Sequence, residues 1–178
     1  MDAKTQSQPT PMKNLTNTER KSERELVVTR TVNGPARIVF DAWTNPDLFK
    51  QWWVPKSCGL NLLSCELDVR VGGKYRLVFS LDAATTMAFF GTYLEVIPHS
   101  RLVWTNEEGD DGEVVTTVTF EERSGKTLVV VHDLYPSKAA LDAAIASGAT
   151  SGMPETLDQL DELLATLSAS ALGLGAAQ

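Results

Sequence analysis

The sequence predicts one α+β domain: a curved antiparallel sheet of six to seven strands, two short helices after strand one, and a long C-terminal helix across the concave face. Three observations predict it. Six runs of strand length follow one another from Leu62, separated only by short turn signals. Leu157, Leu160, Leu164 and Leu167 repeat at spacings of three and four, which makes one apolar helical stripe. Between the first strand and this meander, proline-punctuated segments carry helical rather than alternating periodicity.

Taken in order, residues 1–22 are expected to be a disordered N-terminal tail, because Pro9 and Pro11 lie among Thr, Gln, Asn and Lys with no face to bury. The folded domain is expected over residues 23–167. Its first strand is the β-branched run Glu25 to Val32, stopped by Asn33-Gly34. Pro35 suits the first turn of a helix bearing Ile38, Val39, Ala42 and Trp43 on one stripe. Asn45-Pro46 breaks that helix, and Asp47 to Trp52 forms a second one, ending before Pro55.

The meander then places strands at Leu62–Val69, Lys74–Leu81, Thr86–Ile97, Arg101–Asn106, Val114–Glu122 and Thr127–Asp133. Gly72-Gly73 between two of them reads as a tight turn needing positive φ. A short helical piece over residues 138–147 precedes the final helix, for which Pro154 suits the first position and Asp158 and Glu162 the wet side. Residues 168–178, mostly Ala, Ser and Gly, are expected to be a flexible tail.

A bent sheet covered by one straight helix tends to leave a cavity near the helix ends, and that is the physical case for a ligand site. Strand alternation names its candidate walls. Tyr75, Leu77 and Phe79 share one face, Val118 and Phe120 another, and Leu128, Val130 and His132 a third. Trp104 lies in a further strand, and Trp53 follows Trp52 in a loop region where large rings close pockets or build satellite cores. From above, the final helix would contribute Met153, Leu157, Leu160 and Leu164. Periodicity does not separate a cavity wall from a filled core. Within Thr86–Ile97, alternation allows either Tyr93 with Glu95 or Leu94 with Val96 to face inward.

Composition narrows the partners. The net charge of −7 opposes the positive field that binding to nucleic-acid backbones requires, so no nucleic-acid partner is expected. Without a window of membrane-spanning length or an apolar leader, a cytoplasmic protein with no membrane insertion is expected. Cys58 and Cys65 are too few for a disulfide framework, and with His99 and His132 they assemble no metal-ligand spacing, so no metal and no cofactor is expected. No serine elbow, phosphate-cradling glycine loop or histidine pair at helical spacing occurs either. The carboxylate pairs Glu107-Glu108, Asp110-Asp111 and Glu121-Glu122 sit at turns and strand ends, as solubility elements do.

Several phrases, in order, resemble the START-related helix-grip superfamily known as SRPBCC. The likeness is closer to the branch resembling the C-terminal domain of the activator of the ninety-kilodalton heat-shock chaperone ATPase. They are Val32-Asn33-Gly34-Pro35-Ala36, Val39-Phe40-Asp41-Ala42-Trp43-Thr44, Gln51-Trp52-Trp53-Val54-Pro55 and Asp68 to Tyr75. Gly91 to Pro98, Arg101 to Thr105, Val118 to Glu121, Thr127 to His132 and the Leu157 to Leu167 helix complete the set, which spans the folded unit. Val54 stands where the branch usually has Gly, and Gly152-Met153 where it has Gly-Trp.

The resemblance implies the helix-grip fold and a capacity for apolar ligands, since relatives include lipid carriers, hormone receptors, cyclases and chaperone partners. The leading expectation is a non-enzymatic carrier or sensor of a small hydrophobic molecule. One alternative is an interaction protein docking on a chaperone or regulator, or pairing as a homodimer. Another is a cyclase, dehydratase or hydrolase using His132 with Glu95 or Tyr93 as acid/base groups, which requires those side chains to converge.

Overall fold

The computed structural model describes residues 15–175. Eight strands form one antiparallel sheet: β1 (Asn17–Arg20), β2 (Glu25–Val32), β3 (Asn61–Leu67), β4 (Lys74–Ser80), β5 (Thr86–Ile97), β6 (Arg101–Asn106), β7 (Val114–Arg123) and β8 (Lys126–Leu134). Their order is β1-β2-β8-β7-β6-β5-β4-β3, so the meander returns its last strand to the first long one. Helices α1 (Ala36–Thr44) and α2 (Pro46–Trp52) follow β2, and α3 (Lys138–Ala146) and α4 (Met153–Gly175) follow β8. The expected helix-grip architecture is present, with one strand more than the expected six or seven.

The extra strand corrects the expected tail. Residues 17–20 pair with Leu26 to Thr29 along the free edge of β2, although the sequence Asn-Thr-Glu-Arg has no apolar side chain to announce a strand. Backbone hydrogen bonding makes it, and a short, charged, exposed strand is a suitable edge. Arg20 holds it further, reaching Asp142 of α3 at 2.7 Å. At the other terminus, the expected flexible tail is helical as far as Gly175, because α4 runs on past Leu167. Residues 1–14 and 176–178 lie outside the described residues.

The inner face of the sheet carries α1, α2 and α4 over one apolar core that joins Val28 and Val32 of β2, Val39 and Trp43 of α1, Trp52 of α2 and Leu157, Leu160 and Leu164 of α4. Trp52 is fully buried and its indole N–H donates to the Ala42 carbonyl at 2.9 Å, which locks α2 against α1. The start of α1 lacks a side-chain cap from its own turn, and the Glu122 carboxylate of β7 accepts from the Ala36 N–H at 2.8 Å instead. Glu122 is therefore a helix partner, where its sequence position reads as a solvated strand end.

Polar contacts seat α4 as firmly as its leucines do. Buried Arg30 on β2 meets Asp158 at 2.6 Å and Asp161 at 2.5 Å, so Asp158 faces an ion pair where the sequence places it on the wet side. Gln159 is buried as well; its amide donates to the Trp52 and Val54 carbonyls, and its oxygen accepts from the Lys56 N–H. This one side chain ties the loop after α2 to α4.

Two local irregularities set the inner face of the sheet. Register shifts between Tyr93 and Glu95, which marks a bulge at Leu94. Tyr93 and Val96 both reach the core as a result, while Glu95 turns to Arg101 on the outside. Neither alternation expected from the sequence describes this strand. At Gly91, a Cβ would lie 1.7 Å from the Thr105 carbonyl oxygen, so only glycine fits where β5 and β6 close together.

Candidate ligand-binding site

Beside the packed part of the core, the inner face opens into a cavity of about 300 Å³, at the small end of ligand pockets. Strands β4 and β5 supply Tyr75, Leu77, Phe79, Phe89 and Tyr93; the helical insert supplies Trp43, Phe49 and Trp53. Met153 is the residue α4 adds, at its first turn. Strands β6, β7 and β8 close the remaining side with Trp104, Asn106, Thr116, Val131 and Asp133.

Of the residues singled out from the sequence, Trp53, Tyr75, Leu77, Phe79, Trp104 and Met153 line this cavity. The adjacent tryptophans divide, Trp52 to the core and Trp53 to the wall. Val118, Phe120, Leu157, Leu160 and Leu164 are not wall residues; they are buried in the packed core, where α1 and α4 fill the inner face with side chains. Phe120 meets Phe40 and Trp43 edge-on at ring separations of 5.6 and 5.9 Å, which leaves no space beside it for a ligand. The final helix thus fills its own end of the groove and, among the described residues, borders the open end through Met153.

His132 requires a larger correction. Thr127, Val129 and Val131 of β8 are the buried series, and Asp133 continues it into the cavity. Leu128, Val130 and His132 occupy the opposite face, and the imidazole Nε2 lies 2.8 Å from the Glu25 carboxylate, with both side chains about one-third exposed. The run Leu-Val-Val-Val carries apolar residues on both faces, so its pattern holds no phase. Since His132 and Glu95 are outside and Tyr93 inside, the acid/base trio that an enzymatic reading needs does not assemble.

The polar groups of the cavity are ones that sequence reading passes over. The Tyr75 hydroxyl shares its one proton between the Thr105 carbonyl and Asn106 Oδ1, each at 2.9 Å, and Asn106 Oδ1 also accepts from the Trp104 indole N–H at 3.3 Å. Its Nδ2 donates to the Val114 carbonyl at 3.0 Å and to Thr116 Oγ1 at 2.9 Å, and Thr116 donates to Asp133 Oδ1 at 2.6 Å. Burial holds the Asp133 carboxyl above the usual carboxylate range, with the Thr116 bond opposing it. Burial likewise pushes the Tyr135 hydroxyl up to about 12, with the Asp133 charge adding to it. The buried Trp43 indole N–H has no acceptor among the described residues. Alternation on β7 was the available signal for Thr116, which shares a face with Val118; on β8 the apolar run hides that Asp133 shares one with Val131.

Among the described residues no group of three or more His, Cys, Asp or Glu side chains is placed to hold a metal ion. None of the described helices is long and apolar enough to cross a membrane. Both cysteines are free, and burial pushes the Cys65 thiol up to about 11.

Comparison with known proteins places this geometry. Residues 33–165 match the family described as "Activator of Hsp90 ATPase homolog 1-like protein". A Rhodobacter sphaeroides crystal structure is similar at a TM-score of 0.80 with 24% identity, over 85% of this chain and 99% of that one. A crystal structure from Chromobacterium violaceum is 30% identical at a TM-score of 0.65, over 78% of this chain and 96% of that one. A solution structure of an AHSA1-like protein from Aeromonas hydrophila aligns at a TM-score of 0.61 with 20% identity, over 76% and 92% of the two chains. No curated protein matches the chain.

Proposed function

The chain belongs to the Activator of Hsp90 ATPase homolog 1-like family, and we propose that it is a non-enzymatic binder of a small, largely apolar molecule held between the sheet and the start of α4. The observation that carries this reading is the cavity of about 300 Å³, walled mostly by apolar and aromatic side chains beside a core that is otherwise filled. A void of that size lined by rings forgoes dispersion contacts that a ligand would supply. Among its polar groups Trp104, Asn106, Thr116 and Asp133 are joined by hydrogen bonds, as in a site that fixes orientation. Chaperone activation belongs to the protein for which the family is named, and this reading transfers none of it.

Trp43, Trp53 and Trp104 line the cavity, so a bound molecule lies against three indoles. Titration with a panel of neutral aromatic and aliphatic compounds is expected to change tryptophan emission saturably and raise the melting temperature. The variant Leu77→Phe, which fills the cavity, is expected to weaken both responses at least tenfold. A panel without any saturable binder would overturn the reading, as would equal binding by wild type and a folded Leu77→Phe.

A further inference from the structure

The hydrogen bonds at the polar end of the cavity run in one direction. An indole N–H only donates and a backbone carbonyl only accepts, so Trp104 and Val114 together fix which way the Asn106 amide faces. Its nitrogen must then donate to Thr116 Oγ1, which commits the Thr116 proton to Asp133. The Asn106-to-Thr116 and Thr116-to-Asp133 bonds thus run in series toward the carboxyl group, and Thr116 is its one hydrogen-bond partner among the described residues. A carboxylate accepts at about four positions, so Asp133 keeps acceptor capacity to offer the cavity.

The charges around the cavity have one sign. Asp133 and Glu108 line it, while no Lys, Arg or His does so among the described residues. His132, next in the chain, is turned to the outer face against Glu25. Half of the wall is aromatic, and rings attract cations. An anionic headgroup would set a second acidic group beside buried Asp133 without any cationic side chain in the wall to receive it.

We infer that the cavity selects an apolar molecule bearing a cationic nitrogen, an alkyl or aryl-alkyl amine, whose ammonium donates to Asp133 while its hydrocarbon body lies among the aromatic rings. The inference rests on the cavity being a ligand site, and it excludes fatty-acid-like carboxylates from the lipids that the fold could otherwise accept. An ammonium partner also offsets the burial that holds the Asp133 carboxyl above its ordinary range.

Three compounds with one body and different termini test it: 3-phenylpropylamine, 3-phenylpropanol and 3-phenylpropionate, titrated calorimetrically against the full chain at neutral pH. Charge-assisted bonding and ring contact are expected to favour the amine over the alcohol by about tenfold, with the acid weakest. In Asp133→Asn the ratio of amine to alcohol affinity is expected to fall toward one. Equal or tighter binding of alcohol or acid by the wild type overturns the amine inference and leaves the binding reading standing. An undiminished amine preference in folded Asp133→Asn overturns it too, and should that variant not fold, the wild-type ranking decides alone. If none of the three binds while another apolar compound does, only the amine inference falls; if nothing binds, the binding reading falls with it.

Discussion

Asp133 is placed where its burial weakens the fold. Burial raises its pKa in the fold, so between the unfolded value near 3.8 and the higher folded value the native state binds more protons than the unfolded state. Stability contributed by this group therefore falls as pH rises through that window, so burial of Asp133 costs more at neutral pH than near pH 4. Asp133→Asn removes the titration and keeps a polar group against Thr116. The variant is expected to melt above the wild type at pH 7 to 8, with the gap closing toward pH 4 in thermal scans across pH; a gap that widens on acidification would refute this. A stability liability retained beside a cavity is what a binding group looks like. At the same scale, Trp53, Tyr75 and Trp104 are legible in sequence, since large rings in strands and loops tend to line concave surfaces. Asp133 was not, because Leu-Val-Val-Val ahead of it conceals which face it shares.

Among the elements, β5 and α4 show most clearly how local exceptions build the site. The bulge at Leu94 lets Tyr93 reach the cavity and Val96 the core from the same strand, which strict period two forbids. Gly91 lets that strand approach β6 closely. Gly91→Ala is expected to cost at least about 3 kcal/mol in urea unfolding, because the obstructing atom is backbone that does not turn aside. Gly125→Asn, at a positive φ with open space around it, is expected to stay within about 1 kcal/mol of wild type. On α4, Arg30→Ala leaves Asp158 and Asp161 facing an apolar sheet and is expected to destabilise by about 3 kcal/mol. Joining Arg30→Met with Asp161→Asn is expected to recover much of that loss, since the penalty lies in the stranded charge; full additivity of the two changes in a double-mutant cycle would contradict this. The leucine stripe of α4 is plain in the sequence, whereas Arg30, Gln159 and the edge strand at 17–20 are not, as each depends on a partner distant in the chain.

For the molecule as a whole, a filled core and an open cavity share one sheet face, and ligand binding should be linked to folding. A compound present at a hundred times its dissociation constant is expected to add about 2.7 kcal/mol of stability, measurable as an upward shift in denaturation midpoint that grows with concentration. A midpoint independent of concentration for a compound that binds would show affinity for the unfolded chain as well. The order of strands, the insert after the first long strand and the final amphipathic helix were determined by the sequence alone, because turn residues and periodicity are local properties of the chain. Where α4 fills the groove and where it leaves room was decided by tertiary structure. Its leucines are alike in sequence, and only their distance from α1, α2 and β2 makes Leu157 to Leu164 packed core and Met153 a wall. The same holds for charge: nothing in the chain's order distinguishes Asp133 from the solvated carboxylates, until pairing of β7 with β8 sets it beside Thr116 at the rim of an apolar space.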